Sequence, residues 1–138
     1  MVFRGRVMAV VGAVALGGAA VVIAGAGPAL ASGQYCTSTN DFTICQQVNG
    51  AGTVINWANG VVTPRYAVGY QFKITMTDTS NALVCSKTVP NTNGTTQQSC
   101  YWNGHNEEYL KGNVCTSVDI NGGAEGWVPD GESCLYVS

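Results

Sequence analysis

Six cysteines in a chain of 138 residues are the feature that most limits how this sequence can fold. All six lie after residue 35, and an even number in a short exported chain is typical of a disulfide framework. Six cysteines allow fifteen pairings, which spacing alone does not resolve. Each successive pair brackets a segment with turn residues in its middle, and zinc would need closer Cys-x-x-Cys or Cys/His spacing. We therefore expect no metal site and favour three successive bridges: Cys36–Cys45, Cys85–Cys100 and Cys115–Cys134.

Residues 1–31 have the pattern of an export signal. Arg4 and Arg6 supply a positive start, an uncharged run rich in Val, Ala and Gly follows, and Ala29-Leu30-Ala31 is a small-x-small cleavage pattern. Glycines and a proline interrupt the run, and no positive stop-transfer flank follows it. The sequence therefore predicts a signal peptide over 1–31, a mature chain beginning at Ser32, and a secreted, extracellular protein without stable membrane insertion.

The mature chain, residues 32–138, has 107 residues, which is enough for one small domain and too few for two cores. Its charge is negative, because four basic residues stand against eight acidic ones, giving a net charge of −4. Nucleic acids and anionic membranes select clustered Lys and Arg, so neither is an expected partner. The four basic residues are scattered: Arg65, Lys73, Lys87 and Lys111.

Strand patterns dominate the mature chain, and helix periodicity is nearly absent. The clearest strand is predicted over Tyr66–Thr77, where apolar and polar residues alternate, followed by a turn at Thr79–Asn81 and a return strand over Ala82–Val89. Residues 32–35 are expected to be free to extend. About seven short strands predict an all-β fold, a small antiparallel sandwich or barrel stapled by three disulfides. The other predicted strands are Phe42–Val48, Thr53–Trp57, Gln97–Trp102, Leu110–Val118 and Ser133–Val137, with glycine-rich joints at Gly50–Gly52 and Gly122-Gly123.

Catalytic patterns are weak in this sequence. His105 is the one histidine and lies in a polar stretch that reads as a solvated loop, without a Gly-x-Ser-x-Gly nucleophile motif elsewhere. Glu107 and Glu108 are adjacent, so on a strand they would point to opposite faces, unlike the facing pair of a glycosidase. We expect a protein that is not an enzyme and holds no cofactor.

Acidic residues gather near Asp119, where a glycine-rich loop follows. Counting from Asp119, the fifth, sixth and twelfth positions are Gly123, Ala124 and Asp130, which do not fit the calcium-binding loop of helix-loop-helix proteins. An irregular calcium site near Asp119 stays open, against the simpler interpretation of a solvated turn.

Aromatic residues in loop-like settings are the better functional signal, because Trp and Tyr supply rigid contact area. Trp127 follows Gly126 in a polar stretch, and Tyr101 and Trp102 adjoin the His105 segment, whereas Trp57 is expected in the core. Two basic positions, near Pro64 and after Cys85, suggest an exposed inhibitor-like contact. The predicted partner-binding residues are Arg65, Tyr66, Lys87, Tyr101, Trp102 and Trp127.

The layout resembles the small export products of actinobacteria, in which a signal rich in Val, Ala and Gly precedes a disulfide-stapled β domain. That group includes inhibitors of proteases and amylases, and adaptor subunits of umbrella-type toxin particles. Cys85-Ser86-Lys87-Thr88 resembles the primary-site loop of small serine-protease inhibitors, while the Trp-Arg-Tyr triplet of the amylase inhibitors is missing.

From the residues and this resemblance together, we expect a secreted, non-catalytic module that binds an extracellular protein, as an adaptor subunit of a larger complex such as a toxin particle. A secreted protease inhibitor and a glycan-binding module are the alternatives.

Overall fold

The computed structural model describes residues 32–91 and 94–138, which form eight strands and one 3-10 turn at Gly123–Glu125. The predicted signal peptide lies outside the described residues, as do residues 92 and 93 of the loop after Pro90. The strands are β1 (Gly33–Ser38), β2 (Phe42–Ala51), β3 (Val54–Pro64), β4 (Phe72–Thr77), β5 (Leu83–Val89), β6 (Gln98–Glu108), β7 (Gly112–Asn121) and β8 (Trp127–Val137).

Two four-stranded antiparallel sheets pack face to face. Sheet A has the order β1-β2-β3-β6, and sheet B has the order β5-β4-β7-β8. Contacts between β1 and β8 on one side, and between β5 and β6 on the other, align the two sheets edge to edge. The predicted all-β fold class is confirmed, in its sandwich form.

All three predicted disulfides are present. Cys36–Cys45 joins residues directly opposite each other on β1 and β2, and Cys115–Cys134 does the same on β7 and β8. Cys85–Cys100 differs, because it connects β5 of sheet B with β6 of sheet A. It is thus a covalent link between the two layers at one side of the sandwich.

The core consists of two apolar clusters separated by a polar layer. In that layer the buried Thr116 hydroxyl donates to Oε1 of the buried Gln46, and Gln46 Nε2 donates to the carbonyl oxygen of Gln47 at 2.9 Å. Gly60 faces the same layer, where a Cβ atom would lie 2.2 Å from Thr116 Oγ1. The first cluster contains Phe42, Ile44, Val62, Val68, Phe72, Ile74, Val89, Cys100 and Val118. The second contains Val48, Ile55, Ala58, Met76, Val114 and Val137.

The predicted strand over Tyr66–Thr77 is wrong in its first half. β4 begins only at Phe72, because residues 65–71 carry the chain from sheet A to sheet B. Val68 is buried on this crossing, while the Tyr66 and Tyr70 hydroxyls both donate to the Asp41 carboxylate. The alternating apolar residues of this segment therefore do not mark a strand. They belong to a crossing segment that covers one end of the core with Val68. The predicted turn and return strand that follow β4 are confirmed.

Three segments expected to be loops or free ends are paired strands instead. Residues 33–38 form β1 against β2, so the start of the mature chain is not free to extend. Trp127 is the first residue of β8. His105 lies within β6, which continues to Glu108 against β3. Polar residues fit these strands because cross-strand hydrogen bonds form through the backbone, whichever side chains are attached.

A large bulge interrupts β6 where the loop was expected. Ile55 pairs with Glu107 and Trp57 pairs with Asn103, so three residues of β6 lie opposite Asn56 alone. His105 and Asn106, within the bulge, have φ values of 55° and 59°. Such a bulge changes which side chains of the neighbouring strand point inward.

Candidate functional site

The outward surface of sheet A is uncharged as far as the bulge of β6, and beyond the bulge Glu108 lies on the same side, opposite Val54. Side chains directly opposite each other in antiparallel strands share a face, and the outward set is identified by the inward neighbours Gln46 and Ala58, which are buried. Among the described residues as far as the bulge, this set contains no Lys, Arg, His, Asp or Glu. We call it the outer face of sheet A: Gln34, Cys36, Ser38, Thr43, Cys45, Gln47, Asn49, Trp57, Asn59, Val61, Thr63, Ser99, Tyr101 and Asn103.

Trp57 and Tyr101 form an aromatic pair on this face. Their ring centroids are 6.3 Å apart with an interplanar angle of 29°, and the Tyr101 side chain is 58% exposed. The expectation that Trp57 belongs to the core is wrong. Strict alternation would put Ile55 and Trp57 on the same side of the strand, but Asn56 between them is an extra residue of β3 against β2 and lies opposite the bulge of β6, and the register shift there puts Ile55 and Trp57 on opposite sides. Ile55 is buried in the core, and Trp57 is half-buried on the outer face.

Carboxamide side chains run across the three strands beside the aromatic pair. Asn59 Nδ2 lies 3.4 Å from Gln47 Oε1, and Gln47 Nε2 donates to Gln34 Oε1 at 3.0 Å. Nearby, Asn56 Nδ2 donates to Asn49 Oδ1 at 2.8 Å. The Asn59 Oδ1 atom is buried and accepts no hydrogen bond from the residues that the structure describes. Asn59 pairs directly with Tyr101, so this unmatched acceptor lies at the centre of the aromatic and amide groups.

Tyr101 and Trp102 do not form one contact surface. Successive residues of a strand point to opposite faces, and Trp102 accordingly points inward, where it packs against the second core cluster. Its ring meets that of Tyr109 edge-on, with centroids 5.1 Å apart. Of these two predicted partner-binding residues, only Tyr101 lies on the outer face of sheet A.

Arg65 and Tyr66 lie on the crossing segment at the end of the sandwich. Arg65 Nη1 donates to the carbonyl oxygen of Thr39 at 2.8 Å. The Asp41 cluster, which we define as Asp41, Tyr66 and Tyr70, ties this segment to the β1–β2 turn. Hydrogen bonds from Tyr66 and Tyr70 lower the pKa of Asp41; the pKa of Tyr66 is raised chiefly by the same bond, and that of Tyr70 chiefly by burial. The cluster thus holds the segment in place.

Lys87 and Trp127 lie on strands of sheet B, whereas Tyr101 lies on sheet A. Lys87 is on β5, and its Nζ approaches the carbonyl oxygen of Ser99 at 3.5 Å. Trp127, 39% exposed, lies at the start of β8 beneath the Lys73 ammonium, 5.0 Å from the ring centroid. The six predicted partner-binding residues are therefore distributed over several surfaces and do not form one site.

The acidic residues near Asp119 border a shallow groove of about 350 Å³ on sheet B. Each carboxylate already has a partner: Asp119 lies 3.1 Å from Lys73, Asp130 accepts from the Thr39 hydroxyl at 2.6 Å, and Glu132 accepts from the Ser117 hydroxyl at 3.1 Å. The sulfurs of Cys115 and Cys134 beside Glu132 form a disulfide and are not available as thiolate ligands. An irregular calcium site here stays a prediction.

His105 lies exposed on the bulge of β6, and its backbone N–H donates to Asn103 Oδ1 at 2.9 Å.

The residues that sequence reasoning missed are Trp57 and the amides of the outer face of sheet A. Their signal is present in the sequence as pairs of amide or aromatic residues two positions apart, one pair on each of three strands: Gln47 and Asn49, Trp57 and Asn59, Tyr101 and Asn103.

Comparisons with known proteins found no matching family model, no similar curated protein and no similar solved structure. The three disulfides of this small chain are compatible with an extracellular location. In residues 32–91 and 94–138, no helix has the length and apolar character needed to cross a membrane.

Proposed function

We propose that the mature chain is a secreted, non-catalytic module that binds a macromolecular partner outside the cell. The signal-like pattern of residues 1–31 and the three disulfides support export. Disulfide bonds within each sheet and between the two sheets make the sandwich rigid. A rigid surface suits binding, because rigidity lowers the entropy cost of association.

The observation that carries the proposal is the outer face of sheet A. An aromatic pair with 58% exposure at Tyr101 offers contact area to a partner. Strand positions hold this pair more rigidly than loops would, since β3 and β6 are paired with each other on both sides of Tyr101. A rigid exposed aromatic pair is a typical anchor of a binding surface.

The absence of catalysis is proposed from the surroundings of the candidate groups. His105 is exposed, and the described hydrogen bond of its backbone leads to Asn103. The carboxylates of Asp41 and Asp78 accept hydrogen bonds from their own structural neighbours. A general base needs a nucleophile or substrate proton within hydrogen-bond reach, and these contacts do not provide one.

For the partner, the sequence favours an extracellular protein that the module joins to a larger complex as an adaptor. The inhibitor alternative has less support, because a reactive loop must protrude and offer a free basic side chain. Lys87 lies within the paired strand β5, and Arg65 is bound through its guanidinium to Thr39. The glycan alternative is supported by the aromatic pair and the carboxamide side chains on the outer face of sheet A.

Affinity capture tests the proposal. Tagged mature protein is incubated with the native culture supernatant and, separately, with the insoluble wall fraction of the same culture. Tyr101→Ala is compared with Tyr136→Ala, a matched control, because Tyr136 is 60% exposed on the opposite sheet. We expect a stoichiometric partner that Tyr101→Ala loses and Tyr136→Ala retains. Equal capture by both variants would place binding elsewhere, and no partner in either fraction would contradict the proposed function.

A further inference from the structure

We infer that the outer face of sheet A binds a neutral polysaccharide. This inference rests on the proposed function, and for the same face it selects the glycan alternative over the extracellular protein that the sequence alone favours. It follows from three properties of that face: its stacked aromatic rings, its carboxamides and its lack of charge.

The aromatic pair suits the apolar side of a sugar ring. One side of many pyranose rings presents C–H groups, which pack against an aromatic face, while the hydroxyls project from the ring edge. Trp57 and Tyr101 lie on adjacent strands with ring centroids 6.3 Å apart, and Tyr101 is 58% exposed, so part of its ring remains open to a partner. A surface of this kind anchors a ring without requiring charge.

The carboxamides suit the hydroxyl edge. An amide both donates and accepts hydrogen bonds, as a sugar hydroxyl does, so each can pair with the other in either direction. Asn103 and Asn59 flank Tyr101 on the face, and Gln47 and Gln34 continue the row to β1.

Charge separates this face from the opposite side of the sandwich. The outer side of sheet B carries the Lys73–Asp119 ion pair and Glu132, whereas the fourteen residues of the outer face of sheet A include no ionised side chain. Charged groups border this face: Glu108 lies beyond the bulge, and Lys87 Nζ lies 3.5 Å from the carbonyl oxygen of Ser99. The centre of the face offers no ion pair to an acidic polysaccharide.

The shape of the site indicates a polymer. Four strands about 4.8 Å apart make the face about 14 Å wide, and the aromatic and amide side chains extend from β6 to β1 across it. An open sheet surface leaves the ligand exposed on one side, unlike the enclosed pockets that hold small molecules. A chain of sugars can lie across the whole row.

Binding to insoluble and soluble neutral polysaccharides tests the inference, with cellulose, chitin, starch, β-1,3-glucan and mannan as probes. The mature wild type, Tyr101→Ala and the control Tyr136→Ala are compared by pull-down and by affinity electrophoresis. We expect at least one neutral polymer to bind wild type, about tenfold or greater loss in Tyr101→Ala, and wild-type binding in Tyr136→Ala. Binding should change little between about 0.1 M and about 1 M NaCl, because no ion pairs are involved.

The outcomes separate this inference from the proposed function. A protein partner that depends on Tyr101, together with no binding to any of the neutral polymers, overturns the polysaccharide inference and leaves the binding module intact. Binding only to acidic polymers, or binding that salt abolishes, also overturns it. Folding of each variant is checked by its far-ultraviolet circular dichroism and by the absence of free thiols, so loss of binding is not confused with loss of structure.

Discussion

Removing the bridge between the sheets should destabilise the protein more than removing a bridge within sheet A. Closure entropy alone hardly distinguishes them: a sequence separation of 15 for Cys85–Cys100 corresponds to about 3 kcal/mol, and a separation of 9 for Cys36–Cys45 to about 2.5 kcal/mol. Burial makes the difference. Cys100 is 1% exposed within the first core cluster, and Cys85 packs against that cluster, whereas Cys36 is exposed.

Replacing the buried Cys100 and the half-buried Cys85 with alanine removes two sulfur atoms that pack in or against the core. At about 0.8 kcal/mol for each group the size of a methylene, plus the cavity left behind, the further loss is about 2 kcal/mol. We therefore expect about 5 kcal/mol for Cys85→Ala/Cys100→Ala and about 2.5 kcal/mol for Cys36→Ala/Cys45→Ala.

The assay is urea unfolding followed by tryptophan fluorescence under non-reducing conditions. The free energies of unfolding are compared at one urea concentration between the transitions, because removing a bridge also changes the slope. If the two double variants lose equal stability, or if the Cys36–Cys45 variant loses more, the burial argument is refuted.

Three further predictions concern the folded state. Because the folded pKa of Asp41 is lowered, its stabilising contribution should be present above about pH 4 and lost as pH falls, and the raised pKa values of Tyr66 and Tyr70 should make stability fall as pH rises above about 10. In a plot of urea midpoint against pH, Asp41→Asn should flatten the acid limb and only reduce the alkaline limb, because the burial that raises the pKa of Tyr70 remains. Gly60→Ala should lower the free energy of unfolding by about 2 kcal/mol, because the added methyl group would collide with Thr116. In thermal unfolding, adding Thr116→Ala should recover part of the lost stability, and a Gly60→Ala variant as stable as wild type would contradict the close packing of Gly60 on Thr116. Asn59→Val should leave the free energy of unfolding within about 1 kcal/mol of wild type, because removing a buried acceptor without a partner offsets the loss of the Asn59–Gln47 hydrogen bond, and a clearly larger loss on urea unfolding would contradict this.

The sequence by itself determined the fold class and most strand positions, and it favoured the three disulfide pairs that the structure contains. Two bridges join residues that face each other in a single hairpin, Cys36–Cys45 and Cys115–Cys134, and such pairs follow from local turns between neighbouring strands. The alternation of β4, from Phe72 to Thr77, is likewise a local property, since period-two side chains reflect the pleat of one strand.

The tertiary structure decided which side chains meet on the surface. Asn56 is an extra residue of β3 against β2 and lies opposite the bulge of β6, and these two register shifts turn Trp57 outward. The pairing of β3 with β6, two strands far apart in the chain, then places Trp57 beside Tyr101. The crossing at residues 65–71 depends in the same way on the packing of one sheet over the other. Local patterns report the period of a strand, but its register against a distant strand is fixed by hydrogen bonds and packing that no local pattern contains. The candidate face therefore became visible only when the strands were assembled.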